Sequence, residues 1–490
     1  MKNLKLLIAS FIICSMLLSS AQAAFWKKGE AIGNEIKHEE FPESKDVEPL
    51  INVESNTNKN LTIRGSVENT YNVTLDDCMK YALGNNPRIQ SAMQDVFASD
   101  ARIKQTWSSY FPQFSWQTGY SRIRQLQLSD VFRENLIYNY WVLGQISVSQ
   151  MLYDFGVTQN QVTIRKLDNE GYKIILTGTV NDVICDVKTA YYNLQFALEA
   201  KKVAEDSVKK YEAFYNQAKA YYQVGSKPKV DVTIAEVNLS NAKLTLIQAE
   251  HSVEIAMAKL NNAMGLSYFN KYNLAGCLRY EPSDISLEKA IKITQNSRPE
   301  FHLADIKVEQ ARQNVKLVKK SYFPQLTVEG QYQIGGMHPT SNTGYNFGGY
   351  LNFPTINGML IKHEIREARS LYSRQQSEAL NTKNNIYLEV QQSYYSLDEK
   401  KSQIPVAYLG MKQAKENYDL SYGRYKVGVG DPIELKDAQT EYQNAQLTYY
   451  QTLYEYNAAR AKLEKSIGRN IAYGEVELEK PVKKRFKKAK

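Results

Sequence analysis

Ser109-Tyr110-Phe111-Pro112-Gln113 returns unchanged as Ser321-Tyr322-Phe323-Pro324-Gln325, 212 positions later. The same offset holds without a gap through the preceding segment, where Leu75 falls on Leu287 and Pro87 on Pro299. Beyond the pentapeptide it takes Phe114, Trp116 and Tyr120 onto Leu326, Val328 and Tyr332. A five-residue match inside so long a gapless register marks a duplication.

The pentapeptide is also a switch of structure. Helix formers precede it, over 90–104 and again over 304–319, and proline cannot continue a helix because it lacks the N–H and its ring clashes with the preceding turn. After it the side chains alternate, with Leu326, Val328, Tyr332 and Ile334 against Thr327, Glu329, Gln331 and Gln333. That is the period of a strand with one apolar and one polar face. The return strand of the first hairpin reads Val142, Ile146, Val148 and Leu152 against Gln145, Ser147 and Ser149. From Asp154 onward the best offset becomes 203, so the first hairpin carries about nine extra residues, which we assign to its exposed tip.

Residues 156–224 contain no proline and read as one helix on the order of 100 Å long, longer than a globule of this size permits. The helix that follows repeats Val232, Ala235, Leu239, Ala242, Leu246, Ala249, Val253, Ala256, Leu260 and Ala263 at spacings of three and four. Its second copy repeats Leu435, Ala438, Tyr442, Ala445, Tyr449, Thr452, Tyr456, Ala459, Leu463 and Ser466. A register held over five heptads is a coiled-coil seam, since an ordinary amphipathic helix drifts out of it. The paired helices join at Tyr222-Gln223-Val224-Gly225 and Tyr425-Lys426-Val427-Gly428, where glycine suits a left-handed C-cap, and Asp431-Pro432 suits the start of the next helix.

The 490 residues open with a basic start, an apolar run over 6–18 and Ala21-Gln22-Ala23, the pattern of a secretory signal peptide. No later run reaches the roughly 20 apolar residues of a transmembrane helix. Removing the two lysines of the leader lowers the formal charge from +9 to +7, and seven Lys or Arg fall within residues 480–490. In an exported chain such a tail predicts no nucleic-acid role. The boundaries that follow are a signal peptide at 1–23, a polar extension at 24–73, the first repeat at 74–265, a linker at 266–284, the second repeat at 285–468 and a basic tail at 469–490. Cys78, Cys185 and Cys277 are too few and too widely spaced for a disulfide framework. The histidines, His38, His251, His302, His338 and His363, are scattered, and no Gly-x-Ser-x-Gly, Cys-x-x-Cys or P-loop occurs. Neither an enzyme nor a cofactor or metal site is expected.

Four strands per chain cannot close a barrel, and open strand edges cannot exist in lipid. Three chains supply twelve. At this point the chain resembles the TolC-like outer membrane efflux family, over roughly residues 74–468. The resemblance rests on the two-fold repeat, the Tyr-Phe-Pro-Gln turns, the Leu152-Tyr153-Asp154-x-Gly156 exit from the hairpin and the Tyr-x-Val-Gly junctions. It implies a mixed α and β membrane protein, a homotrimer with a 12-stranded β-barrel in the outer membrane continuous with a periplasmic α-helical barrel. It also implies partners: a periplasmic adaptor (membrane fusion) protein and an inner-membrane ABC or proton-driven exporter. Phe114, Trp116, Tyr120, Leu326, Val328 and Tyr332 are expected to face outer membrane lipid. The resemblance places Val224, Gly225, Val427 and Gly428 at an adaptor-docking tip, and Asp231, Glu434, Asp437, Tyr222 and Tyr425 around the gate. Family members can hold an arginine where this chain has Gly430, so the expected cation for a closing ion pair is Lys227 or Lys229. The competing architecture is a surface-anchored coiled-coil structural or adhesive protein. Its anchor is expected once, at one end of the chain, whereas here a strand pair sits inside each repeat.

Overall fold

The computed structural model describes residues 72–126, 135–266, 272–282, 285–336, 342–354 and 359–468. The signal peptide, nearly all of the polar extension and the basic tail assigned above lie outside the described residues. In chain order come β1 (Asn72–Val73), α1 (Leu75–Asn85), α2 (Pro87–Trp107), a 3-10 turn (Ser108–Tyr110), β2 (Gln113–Leu126) and β3 (Asn135–Tyr153). Then follow α3 (Val157–Gln223), α4 (Lys229–Met264), β4 (Asn273–Leu274), α5 (Leu287–Ser297) and α6 (Pro299–Lys320). The chain continues as β5 (Gln325–Gly336), β6 (Asn342–Asn352), α7 (Leu360–Lys426) and α8 (Pro432–Ile467).

Local chemistry sets these bounds. Thr74 and Asp77 cap α1 reciprocally, the Asp77 N–H donating to Thr74 Oγ1 and the Thr74 N–H to Asp77 Oδ2. Asn86 then caps α2 by accepting from the Arg88 N–H at 2.9 Å, with Pro87 in the first helical position. The sequence predicts that α2 runs to Pro112; it stops at Trp107 and tightens into the 3-10 turn instead. The residue before a proline is pushed out of the helical region, and Phe111 is extended at φ −92°, ψ 153°.

The two repeats match in length as well as order. Helices α3 and α7 each have 67 residues, and α4 and α8 each have 36. All twenty seam positions named above are buried or half-buried, so the heptad reading survives folding. Helix α3 packs on α4 and α7 on α8, while α3 also packs against α6 and α8 of the other repeat. That cross-repeat contact holds the deepest ion pair described, Lys188 Nζ to Glu464 Oε2 at 2.6 Å, with side chains only 5% and 6% exposed. Cys78 is buried, Cys185 half-buried and Cys277 exposed, and all three are free thiols. Burial pushes the Cys78 thiol up to about 12.

Four of the strands form one antiparallel sheet in the order β2-β3-β5-β6, while β1 and β4 make a separate parallel pair. Among the described residues, pairing in the first hairpin runs on to Leu126 opposite Asn135 and in the second to Gly335 opposite Asn342. The two tips, to the first of which the extra residues are assigned above, lie outside the described residues.

Candidate functional site

Residues paired across an antiparallel ladder share a face. One row of the sheet reads Phe114, Val148, Gly330 and Phe347, and the next reads Trp116, Ile146, Tyr332 and Tyr345. The opposite face reads Gln113, Ser149, Glu329 and Gly348, then Ser115, Ser147, Gln331 and Asn346, then Gln117, Gln145, Gln333 and Gly344. Four strands thus segregate into an aromatic and aliphatic face and an amide and hydroxyl face. Phe114 and Trp116 are 74% and 64% exposed, and Tyr120 and Tyr332 are also exposed, while Leu326 and Val328 are half-buried.

The strict alternation read from the sequence breaks twice in β3, between Val142 and Gly144 and again between Met151 and Tyr153, where Tyr153 rather than Leu152 stands opposite Leu326. The β3 register slips between Val142 and Gly144, which sets Val142 opposite Gly119 and Gly335 on the polar side. Trp141 takes its place on the apolar side, with its ring centroid 4.5 Å from that of Tyr120. A bulge gives one strand an extra residue and so inverts the parity beyond it.

Where strands meet helices, both pentapeptides sit beside the exit from β3. The ring of Phe155 stacks on Phe323 at 5.4 Å and meets Tyr153 edge-on at 4.8 Å. Phe155 pays for this with φ +52°, a backbone conformation that bulky side chains avoid. Asp154 holds the turn. It is buried and accepts from the N–H groups of Gly156 at 2.9 Å and Thr158 at 2.6 Å. Burial alone raises its pKa, but these hydrogen bonds outweigh burial and hold the carboxyl below its usual value.

At the far end of the long helices, the two junctions lie side by side around one narrow cleft lined by Phe214, Asp231, Tyr425, Pro432 and Leu435. Gly225 and Gly428 take φ +73° and +84°, as the left-handed cap requires. Their closing bonds are equivalent: the Ser226 N–H donates to Tyr221 O at 2.9 Å and the Val429 N–H to Arg424 O at 3.1 Å. Val224, Val427 and Val429 stand 76%, 78% and 76% exposed beside them, an apolar tip with nothing packed on it in one protomer.

The predicted gate residues do not behave alike. Tyr222 is exposed, whereas Tyr425 is only 5% exposed, in a cluster with Phe214, Leu435 and Ala438. Within one protomer Tyr425 thus packs into the tip beside Asp231, in the same cleft. Burial, with Asp231 and Tyr221 nearby, raises its phenol above the ordinary tyrosine value. Asp231 and Glu434 are half-buried and Asp437 is exposed. Within one protomer the cation facing Glu434 is Arg424, with Nη1 2.8 Å from Oε1. A signal for this was present: Arg424 stands in the last turn of α7, where the helix dipole favours a cation. Asp437 pairs with its neighbour Lys436 at 3.3 Å.

The outer membrane efflux protein family model matches residues 79–266 and 290–469, one span for each repeat. The chain belongs to the outer membrane efflux protein family. Among curated relatives of this efflux protein, the toxin and drug export protein A of Aggregatibacter actinomycetemcomitans is 24% identical over 302 residues. That match takes in 59% of this chain and 63% of the relative, so under two thirds of the relative's length is spanned. The outer membrane protein TolC of Vibrio cholerae is 21% identical, over 80% of this chain and 90% of that protein. The CmeC outer membrane channel of Campylobacter jejuni shares the fold at a TM-score of 0.69, with 18% identity over 80% of this chain and 85% of that one.

Proposed function

We propose that three copies of this chain close a twelve-stranded barrel in the outer membrane and continue as a helical tube into the periplasm, forming the exit duct of an export system. The observation that carries this reading is the sheet: four strands with a greasy face and an amide face, whose outer strands β2 and β6 have one free edge each among the described residues. Such edges are satisfied in lipid by closure with further copies, and the segregated faces match a lipid-facing wall around a wet lumen. Exposed aromatic rings at the helix–strand boundary, Phe111 at 65% and Tyr322 at 54% among them, suit the girdle at the membrane interface. No described helix is long and apolar enough to cross a membrane.

The exposed valines of the tip are the surface on which a periplasmic adaptor docks, handing over cargo from an inner-membrane ABC or proton-driven exporter. Asp231, Asp437 and Tyr222 line the mouth there. Glu434, already held by Arg424, adds less charge to it. Three-fold symmetry turns each of these carboxylates into a ring that attracts cations.

The test is conductance of the purified protein in planar bilayers. A duct gives discrete channels that divalent cations depress, and Asp231→Ala with Asp437→Ala relieves that block. A protein that stays monomeric and never conducts overturns the reading.

A further inference from the structure

Near the tip, the side chain of Lys210 on α3 reaches across to the other repeat. Its Nζ lies 4.4 Å from the ring centroid of Tyr418 on α7 and 4.8 Å from that of Tyr442 on α8. Those two rings are stacked on each other, 5.8 Å apart at 15°. One ammonium thus touches both helices of the second repeat from the first, about 20 Å above the end of α3 at 1.5 Å per residue.

The surrounding ties are weaker. The ion pairs of this cross-repeat seam, Lys188–Glu464 and Lys465–Asp182, lie at its upper end. Toward the tip, the Ser207 hydroxyl donates to Gln443 Oε1 at 3.0 Å, and the Tyr211 and Thr440 hydroxyls meet at 3.4 Å. Phe214 reaches Tyr422 at 5.9 Å and Tyr425 at 6.4 Å. The arrangement is also absent from the other copy of the repeat. At the 203 offset Lys210 falls on Gln413, and Tyr442 falls on Leu239, so neither cation nor second ring is duplicated.

We propose that Lys210, Tyr418 and Tyr442 form a cation–π clamp that holds the second repeat's helix pair against α3 and so keeps the periplasmic mouth narrow at rest. Lys210 is a positioning residue: it acts through the placement of α7 and α8 and does not itself line the mouth. A partly desolvated ammonium over aromatic faces is strongly held, and guanidinium preserves the contact where an apolar side chain of similar length loses it. This inference rests on the duct reading given above.

The experiment compares wild type, Lys210→Met, Lys210→Arg and Tyr418→Leu/Tyr442→Leu as trimers in planar bilayers, with trimer content checked by cross-linking. The clamp predicts that Lys210→Met raises the open fraction about tenfold. Lys210→Arg stays near wild type, and Lys210→Met adds little to the double tyrosine variant because the same contact is already lost. A Lys210→Met trimer that opens no more than wild type overturns the clamp, as does Lys210→Arg behaving like Lys210→Met. If wild type conducts and only these comparisons fail, the duct reading stands. A wild type that never conducts overturns both.

Discussion

Replacing Lys188 by methionine tests how the two repeats are held together. The ammonium lies 2.6 Å from Glu464 Oε2, and the side chains are 5% and 6% exposed, so water screens the pair little. Removing one partner of a buried pair costs about 3–5 kcal/mol, because the other charge is left in a poor environment. Here Glu464 keeps a second cation, since Arg460 Nε stays 3.4 Å from its other oxygen while Arg460 also pairs with Glu281 at 2.6 Å. The expected loss for Lys188→Met therefore falls near the lower end, at about 2–3 kcal/mol. Replacing both partners, Lys188→Met with Glu464→Met, restores most of it, because an apolar pair of similar volume pays no desolvation penalty. The assay is denaturant unfolding in detergent at fixed protein concentration, since oligomerisation couples to stability. A lowered midpoint at unchanged slope reports the loss. A single variant within about 0.5 kcal/mol of wild type refutes the reasoning, and so does a double variant no better than the single.

Three further outcomes follow from geometry already described. Gly428 has open space around a left-handed backbone, so Gly428→Ala loses about 1 kcal/mol of local stability, read as faster hydrogen exchange at the tip. Gly430→Ala costs more, because its Cβ would sit 2.6 Å from the Tyr425 nitrogen; equal exchange in the two variants speaks against this. A spin label at Val328 is expected to report lipid and one at Gln331 water, and the reverse pattern inverts the barrel. Asp154 has a folded pKa below the ordinary aspartate value, so its contribution is full above that ordinary value and is lost as pH falls through the folded one. The melting difference between wild type and Asp154→Asn should thus stay constant between pH 7 and pH 5 and close only in stronger acid; convergence already at pH 5 contradicts the assignment.

Much of this architecture was legible because repetition reports global organisation through local matches. The pentapeptide located the helix-to-strand switch, and period two located the faces of β5. The junction glycines announced their left-handed caps. What escaped was whatever depends on one added residue or on distant partners. The slip between Val142 and Gly144 moves Val142 to the polar face, and nothing in an alternating string marks where a bulge falls. Tyr222 and Tyr425 occupy equivalent motif positions, yet Phe214 and Leu435 enclose only the second. Lys188 and Glu464 are 276 residues apart, and each alone reads as an ordinary charge on a helix.

The equal lengths of the paired helices act as a gauge. Both 67-residue rods leave the same sheet and end at the same cleft, so neither can be lengthened alone. Seven residues added to α3 would carry its junction about 10 Å past its neighbour and pull Lys210, Tyr211 and Phe214 off their partners. The return helices α4 and α8 must grow in step to bring the chain home. In the proposed duct, the distance the tube reaches from the membrane is thus written four times in one chain, and it can be edited only in matched heptads.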